Sequence, residues 1–390
     1  MSRRNCPIWR RRKSVKAAIS SAIAKADSNP YEKIPPCISS PLAPEGMFSG
    51  HCLLKSNHLN QSGISSLTAP KSSDELKFDR RAIQPGAVES RWTAPGGQPI
   101  RRIDWLLPRG SCRGSLLFMP GRGDAYEKYL ETLDTWSRLG WRVTASDWRG
   151  QAGSGRLGND AVTGHIDDFA TWVGDLAALW QQWRLTTPAP HVLVGHSMGG
   201  HVVLRALAEH CVDPDAAVLV APMVDFIRHG VPAVLMHTAA RVMAAIGDAR
   251  RPAWKWGEKP GVFPLDRIKL LTNDPKRYAD EVWWRDQRPE IAMGPGSWGW
   301  AAAAYASTRL LARRGMLEQV QCPVLLLSAD HDRLVSPGAI ERAALRIPRG
   351  ELVRFGPEAR HELLREADPV RDRALAAIDD FLGRVARVCD

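Results

Sequence analysis

A short apolar run, a serine between glycines and a second apolar run follow one another at residues 191–204. The order HVLV, GHSMG, GHVVL predicts a buried strand, a very tight turn at Ser197 and a helix. A serine exposed at the end of a buried strand leaves no room for side chains two residues before or after it, and Gly195 and Gly199 meet that demand. The following helix points its N-terminal amides at the serine, where an oxyanion would develop. The stretch therefore predicts a nucleophile elbow rather than a plain glycine-rich turn.

Apolar runs alternate with amphipathic stretches beyond the N-terminal part of the chain, which predicts βαβ units and a largely parallel sheet. Runs at 88–93 and 100–107, separated by a Pro-Gly-Gly turn, predict an antiparallel hairpin ahead of these units. The later spacing is regular except between the strands at Val218 and Val324, which lie about 100 residues apart. Because that gap is too long for a loop, we predict an inserted helical subdomain.

A serine nucleophile needs a base, and the base needs an orienting carboxylate. Each is expected just past the end of a later strand, the acid before the histidine. Asp332 follows the apolar run at 324–328, and His361 follows the run at 351–355. Asp330 is the alternative acid, but Asp332 directly precedes Arg-Leu-Val, which can lead into the next helix. Either residue alone would be an ordinary turn residue, whereas three residues in this order at three strand ends favour a catalytic triad.

An oxyanion hole requires two backbone amides. We expect one from Met198, the residue after the nucleophile. The other should come from the turn Gly121-Arg122-Gly123, which follows an apolar strand centred on Leu117. The amide of Arg122 is the predicted donor, and its side chain need not take part.

Three motifs point to a known family. Residues 147–156 read DWRGQAGSGR, residues 195–200 read GHSMGG and residues 221–223 read APM. These stretches resemble motifs of the serine aminopeptidase and lysophospholipase branch of the α/β-hydrolases, which includes monoacylglycerol lipases. The spacing in the middle of the first motif is shifted from D-x-R-G-x-G-x-S-x-R, and Pro120 stands where many members carry histidine.

The resemblance spans about residues 87–382 and implies an α/β-hydrolase fold, with a mostly parallel central sheet flanked by helices. The hydrolase domain is expected at 81–390, and the insertion at about 223–318 becomes a helical cap. The resemblance also implies the catalytic triad that the strand ends predict: Ser197, Asp332 and His361.

The expected function is hydrolysis of carboxylic esters through an acyl-enzyme, of the lysophospholipase or monoacylglycerol lipase type. A peptidase of the prolyl aminopeptidase type is the alternative, and it would need an acidic anchor such as Glu258 or Glu281. A non-catalytic binding protein is a third hypothesis, against which the complete triad argues. No cofactor is expected, because the G-x-G-x-x-G match at 153–158 is not placed directly between a strand and a helix. The histidines show no metal-binding spacing.

Residues 1–80 differ from the rest, with 13 Lys and Arg against 6 Asp and Glu, a net +7 of the chain's +11. They show no lasting periodicity and predict a disordered basic extension rather than a folded domain. An organelle-targeting segment, or upstream sequence ahead of a start at Met47, are the alternatives. The basic run 10–13 is the feature that would contact the inner face of a membrane peripherally. No nucleic-acid partner is expected.

Seven irregularly spaced cysteines without a C-x-x-C pair predict neither a zinc site nor a disulfide framework. A reducing, cytoplasmic compartment is the corresponding expectation. The insertion is rich in tryptophan, which would either line an acyl-chain groove and touch lipid or form the core of a thin cap. The residues concerned are Trp254, Trp256, Trp283, Trp284, Trp298 and Trp300.

Overall fold

The computed structural model describes residues 78–105, 112–227, 230–255 and 265–385. The predicted basic extension lies outside these ranges except for its last three residues. Phe78 packs against the buried core, and Arg80 forms an ion pair of 2.6 Å with Asp280. These residues belong to the folded body, and the domain boundary at about residue 80 stays a prediction.

Eight strands form one sheet in the order β1-β2-β4-β3-β5-β6-β7-β8. The first two strands form the predicted antiparallel hairpin, β2 pairs antiparallel with β4, and all other neighbours are parallel. The central strands are buried along their whole length, as parallel strands covered on both faces require. The strand bounds are β1 Ala87–Ala94, β2 Gln98–Trp105, β3 Gly114–Met119, β4 Trp141–Ser146, β5 His191–His196, β6 Ala216–Val220, β7 Val324–Ala329 and β8 Gly350–Phe355.

Helices cover both faces of the sheet and divide its core into two layers. The helices α2, α3 and α8 contribute to one layer, while α1 and α9 contribute to the other. The described α-helices are α1 Leu130–Arg138, α2 Ala170–Trp183, α3 Met198–Ala208, α4 Ala233–Ala245, α5 Leu265–Leu271, α6 Pro275–Gln287, α7 Trp298–Leu311, α8 Pro337–Arg346 and α9 Asp368–Val385. The predicted alternation of strands and helices is therefore present.

The segment between β6 and β7 carries α4 to α7, so the predicted insertion is helical where it is described. The tryptophans of the insertion divide between the two hypotheses, a buried core and a surface for an acyl chain or lipid. Trp284 and Trp300 are buried, as core residues would be, whereas Trp254 is 46% exposed. Trp256 lies outside the described ranges.

Within the described residues, no helix is both long and apolar enough to cross a membrane. Cys112 and Cys322 carry free thiols, whereas Cys211 is disulfide-bonded. The sequence predicted no disulfide framework, and the one disulfide-bonded cysteine among the described residues removes one support for a reducing compartment, which stays a prediction.

Candidate active site

Ser197 occupies the sharp turn between β5 and α3. Its φ of 51° and ψ of −117° are unusual for a residue with a side chain. A Cβ at Gly195 would lie 2.7 Å from the backbone of Gly200, and one at Gly199 would overlap the carbonyl oxygens at the end of β3. The two glycines are therefore required by close packing, and they hold the serine out from the end of the sheet.

The ends of β7 and β8 bring two further side chains to this serine. The Nε2 of His361 lies 2.8 Å from the Oγ of Ser197, and its Nδ1 lies 2.6 Å from the Oδ2 of Asp332. The other carboxylate oxygen of Asp332 accepts hydrogen bonds from the amides of Leu334 and Val335, at 2.8 and 3.1 Å. Backbone amides thus fix the carboxylate of Asp332, and the carboxylate in turn fixes the imidazole of His361. A histidine that acts as the base for a serine is held in this way.

Asp330, the alternative acid, points elsewhere and pairs with Arg354 at 3.0 Å. The structure brings Asp332 and not Asp330 to the histidine. Burial alone would lower the pKa of His361, but the charge and hydrogen bond of Asp332 outweigh burial and raise that pKa above its ordinary value. Burial would raise the pKa of Asp332, yet the imidazole and two amides lower it. Both shifts favour an ionised acid beside a strengthened base.

The turn after β3 lies against the nucleophile. A Cβ at Gly121 would come within 3.1 Å of the Cβ of Ser197. Core side chains hold the turn on both sides, since the amide of Gly121 donates to Asp124 at 3.0 Å and the amide of Gly123 donates to Gln151 at 2.8 Å.

The two predicted oxyanion donors border the same serine. Arg122 stands between the two anchored amides of this turn. Met198 begins α3, where amides lack carbonyl partners within the helix. Its sulfur lies 3.6 Å from the Nε2 of Gln151, so one glutamine contacts both sides of the proposed hole.

Asp124 is a residue of this site that the sequence reasoning missed. Its buried carboxylate accepts hydrogen bonds from Tyr129 at 2.8 Å and from the oxyanion turn, and it lies 3.1 Å from the Nδ1 of His196. The other ring nitrogen of His196 lies 3.4 Å from the carbonyl oxygen of His361. The only sequence signal was the Asp-x-x-x-Lys spacing, and the structure pairs Asp124 with Lys128, four residues later.

A buried cluster of charges continues from Lys128 beneath the turn. The ammonium lies 2.5 Å from Asp124, 3.1 Å from Glu281 and 2.7 Å from Glu362. Arg365 pairs with Glu281 at 2.7 Å and also with Glu362. Burial would raise the pKa of Glu281, but the surrounding cations hold it below its ordinary range. Because Glu281 lies on α6, this cluster joins the insertion to the sheet domain.

Residues of the motif at 147–156 form a buried hydrogen-bond network. Asp147 binds Arg101 at 2.8 Å and Ser154 at 3.2 Å, all three being buried. Arg156 donates to the backbone carbonyls of Glu290 and Ala292, which follow the end of α6. The strand β4 ends before this motif and α2 begins well after it, so the glycines are not arranged as a dinucleotide site requires. Among the described residues, no three His, Cys, Asp or Glu are grouped to hold a metal ion.

Residues 110–368 match the family described as "Serine aminopeptidase, S33". Lysophospholipase L2 of Escherichia coli K12 is 33% identical over 288 residues, which cover 69% of this chain and 80% of that protein. Monoacylglycerol lipase of Mycolicibacterium smegmatis is 25% identical over 284 residues, which cover 72% of this chain and 92% of that protein. A solved structure of a soluble variant of Saccharomyces cerevisiae monoglyceride lipase has a TM-score of 0.61 at 17% identity and covers 81% of this chain and 99% of that chain.

The fold and the match place the chain in the α/β-hydrolase superfamily, among hydrolytic enzymes of the lipase and esterase type. Within that superfamily, it belongs to the serine aminopeptidase S33 family. The family and fold class inferred from the sequence motifs are confirmed.

Proposed function

We propose that the protein is a serine hydrolase that cleaves carboxylic esters through an acyl-enzyme. The observation that carries the proposal is the continuous chain of contacts from Ser197 through His361 to Asp332, at 2.8 and 2.6 Å. Ser197 attacks the ester carbonyl while His361 takes its proton and returns it to the leaving alcohol. Asp332 holds the imidazole in position and stabilises its charged form. A water molecule activated by His361 then releases the acid.

The amides of Arg122 and Met198 are the proposed donors to the oxyanion. One comes from a turn anchored by core side chains and the other from a helix N-terminus, so both are oriented before substrate binds. Such preorganised donors commonly supply about 10²- to 10³-fold in kcat each.

A single-chain lipid ester, either a lysophospholipid or a monoacylglycerol, is the proposed substrate. The proposal is supported by the relatives, which include a lysophospholipase at 33% identity and a monoacylglycerol lipase at 25% identity. The insertion carries exposed apolar side chains, Trp254 among them, which offer surface for an acyl chain.

The peptidase alternative is less well supported by the geometry. It needs an acidic side chain that can bind a substrate ammonium, and Glu258 lies outside the described ranges. Glu281 is buried and already contacts Lys128, Arg285 and Arg365 within 3.1 Å. These three cations already neutralise the charge of the buried carboxylate, which argues against its binding a substrate ammonium. The alternative of a non-catalytic binding protein is opposed by the hydrogen-bonded triad.

We further propose that the enzyme contacts a lipid surface through its insertion. Of the ten exposed large apolar side chains in the described residues, six lie between positions 231 and 254. The same stretch and the residue after it carry four Lys and Arg against one Asp, a balance that favours an anionic surface. The six apolar residues are Val231, Val234, Leu235, Val242, Ile246 and Trp254.

A substrate panel tests the catalytic proposal. Purified protein should hydrolyse short esters, lysophospholipids or monoacylglycerols and leave aminoacyl amides intact, and a fluorophosphonate probe should label Ser197. Ser197→Ala should lose on the order of 10³-fold or more in kcat while keeping its fold. More than a tenth of wild-type activity in that variant, with a normal circular dichroism spectrum, would refute the assignment of the nucleophile.

A surface substitution tests the lipid contact. Leu235→Glu removes an apolar contact worth about 1.5–3 kcal/mol when fully buried, so hydrolysis of substrate in anionic vesicles should fall roughly tenfold or more. Hydrolysis of a short soluble ester should not change. Leu345→Glu alters another exposed leucine outside the insertion and should be silent in both assays. Equal loss in the two variants would count against a docking face on the insertion.

A further inference from the structure

The side chain of Arg122 contacts the insertion, apart from any role of its backbone amide. Its guanidinium carbon lies 5.1 Å from the ring centre of Trp254 and 5.0 Å from that of Trp300. Its Nη2 donates a hydrogen bond of 2.8 Å to the carbonyl oxygen of Gly294. All three partners belong to the insertion between β6 and β7. The residue proposed to supply an oxyanion amide is therefore held, through its side chain, by the cap.

The surroundings of the guanidinium are closely built. A Cβ at Gly164 would lie 3.2 Å from its Nη2, and one at Gly296 would lie within 2.9 Å of both tryptophan rings. Gly164 and Gly296 form an isolated parallel β-bridge. The backbone itself therefore joins the two segments that surround the guanidinium. Only glycine at these positions leaves room for the rings and the guanidinium to stack.

The rest of the turn is anchored differently. The amides before and after Arg122 donate to Asp124 and Gln151, which belong to the sheet domain. The sheet domain, which carries the triad, thus fixes the amides of Gly121 and Gly123. The cap contacts the side chain of Arg122, which lies between them. A small rotation of that peptide would change where its N–H points without moving the triad.

We propose that the Arg122 side chain is a positioning element, which makes the geometry of the oxyanion hole depend on the docking of Trp254, Trp300 and Gly294. The inference rests on the proposed function, because it concerns an amide of the proposed oxyanion hole. It assigns a role to the side chain, which the chemistry of the amide alone does not need. Every substitution at position 122 except proline keeps the amide, so the side chain can be tested separately.

Removing the side chain should affect the transition state more than substrate binding. Arg122→Ala should lower kcat on a short soluble ester about 10- to 100-fold, since a misplacement near 1 Å has effects of this size. The KM should change less than about threefold. Arg122→Lys keeps the charge but lacks the planar group that stacks between two rings, so it should resemble Arg122→Ala more than the wild type.

An oxyanion mimic separates positioning from a merely structural role. A trifluoromethyl ketone adds to the serine and places an oxyanion in the hole. Its Ki should rise in each variant by the same factor as kcat/KM falls. Rates are referred to folded enzyme, counted by the end point of fluorophosphonate labelling. An unchanged kcat per labelled site, or a rise in KM alone, would overturn the proposal.

Trp254, the partner on the cap, supplies a second arm, in which the single variant Trp254→Ala leaves Arg122 in place. Trp254→Ala should lower kcat in the wild-type background and have little further effect when combined with Arg122→Ala. Trp283→Ala is the matched control, because Trp283 also stacks on an arginine, Arg81, at 5.7 Å. Additive effects of the first pair, or equal losses from both tryptophan variants, would contradict the proposal. A wild-type protein without turnover or labelling would instead remove the proposed function itself, and this inference with it.

Discussion

Replacing Lys128 by methionine should destabilise the protein in a way that depends on pH. The ammonium lies within 3.1 Å of Asp124, Glu281 and Glu362, and all four side chains are at most 5% exposed. The lysine stabilises ionised carboxylates that burial alone would neutralise, and their pKa values are lowered accordingly. Lys128→Met leaves the carboxylates in place and removes a cation common to all three.

The expected cost follows from the geometry of the cluster. Removing one partner of a buried ion pair costs about 3–5 kcal/mol, and one pKa unit corresponds to about 1.4 kcal/mol. One carboxylate of the variant should therefore take up a proton more readily, with a pKa raised above its ordinary value. A group whose pKa is raised on folding stabilises the protein at low pH and loses that contribution as pH rises. The stability deficit should thus be smaller at pH 5 than at pH 8.

Urea unfolding followed by tryptophan fluorescence at pH 5 and pH 8 measures this difference. Lys276→Met, on the exposed side of α6, is the control and should change stability by less than about 0.5 kcal/mol. Adding Glu362→Gln to Lys128→Met removes one of the three carboxylates that lost the lysine and should recover stability at pH 8. A deficit below about 1 kcal/mol at pH 8, or an equal deficit at both pH values, would refute the reasoning.

Three further predictions concern catalysis. Asp332→Asn should lower kcat by about 10³- to 10⁴-fold, whereas Asp330→Asn should have little effect, and the reverse order in matched kinetics would transfer the role. The acid limb of kcat/KM should lie above about pH 6.5, because the base is active when neutral and the raised pKa of His361 keeps it protonated to higher pH; a limb below pH 6 would contradict this. A truncated protein that begins at Phe78 should retain activity on a short soluble ester, and loss of that activity in a folded fragment would show that the N-terminal extension takes part in catalysis.

The elbow and the two strand-end residues could be predicted because their positions follow from local rules. Gly195 and Gly199 are demanded by the close approach of strand and helix, and the order of acid and histidine follows from the order of the strands. The structure brings Asp332 and His361 to Ser197 accordingly.

The supporting charges could not be predicted in the same way. Lys128 meets Glu281 and Glu362, which lie far along the sequence, and no local pattern states which of many charged residues will be buried together. The position of Arg122 was predicted from its backbone, but its stacking depends on the path of the insertion. Composition likewise does not show that Arg80 pairs with Asp280 of α6.

The buried ion pairs of Glu281 have a consequence for how a substrate enters. They fasten α6 to the sheet domain, and lifting this helix would separate charges at a cost of several kcal/mol. The helix α4 has Ala240 as its one buried residue and packs against α7, another helix of the insertion. The two sides of the insertion are thus held differently, α6 by buried ion pairs with the sheet domain and α4 by its packing on α7. We therefore expect the α6 side of the insertion to stay closed when a substrate binds.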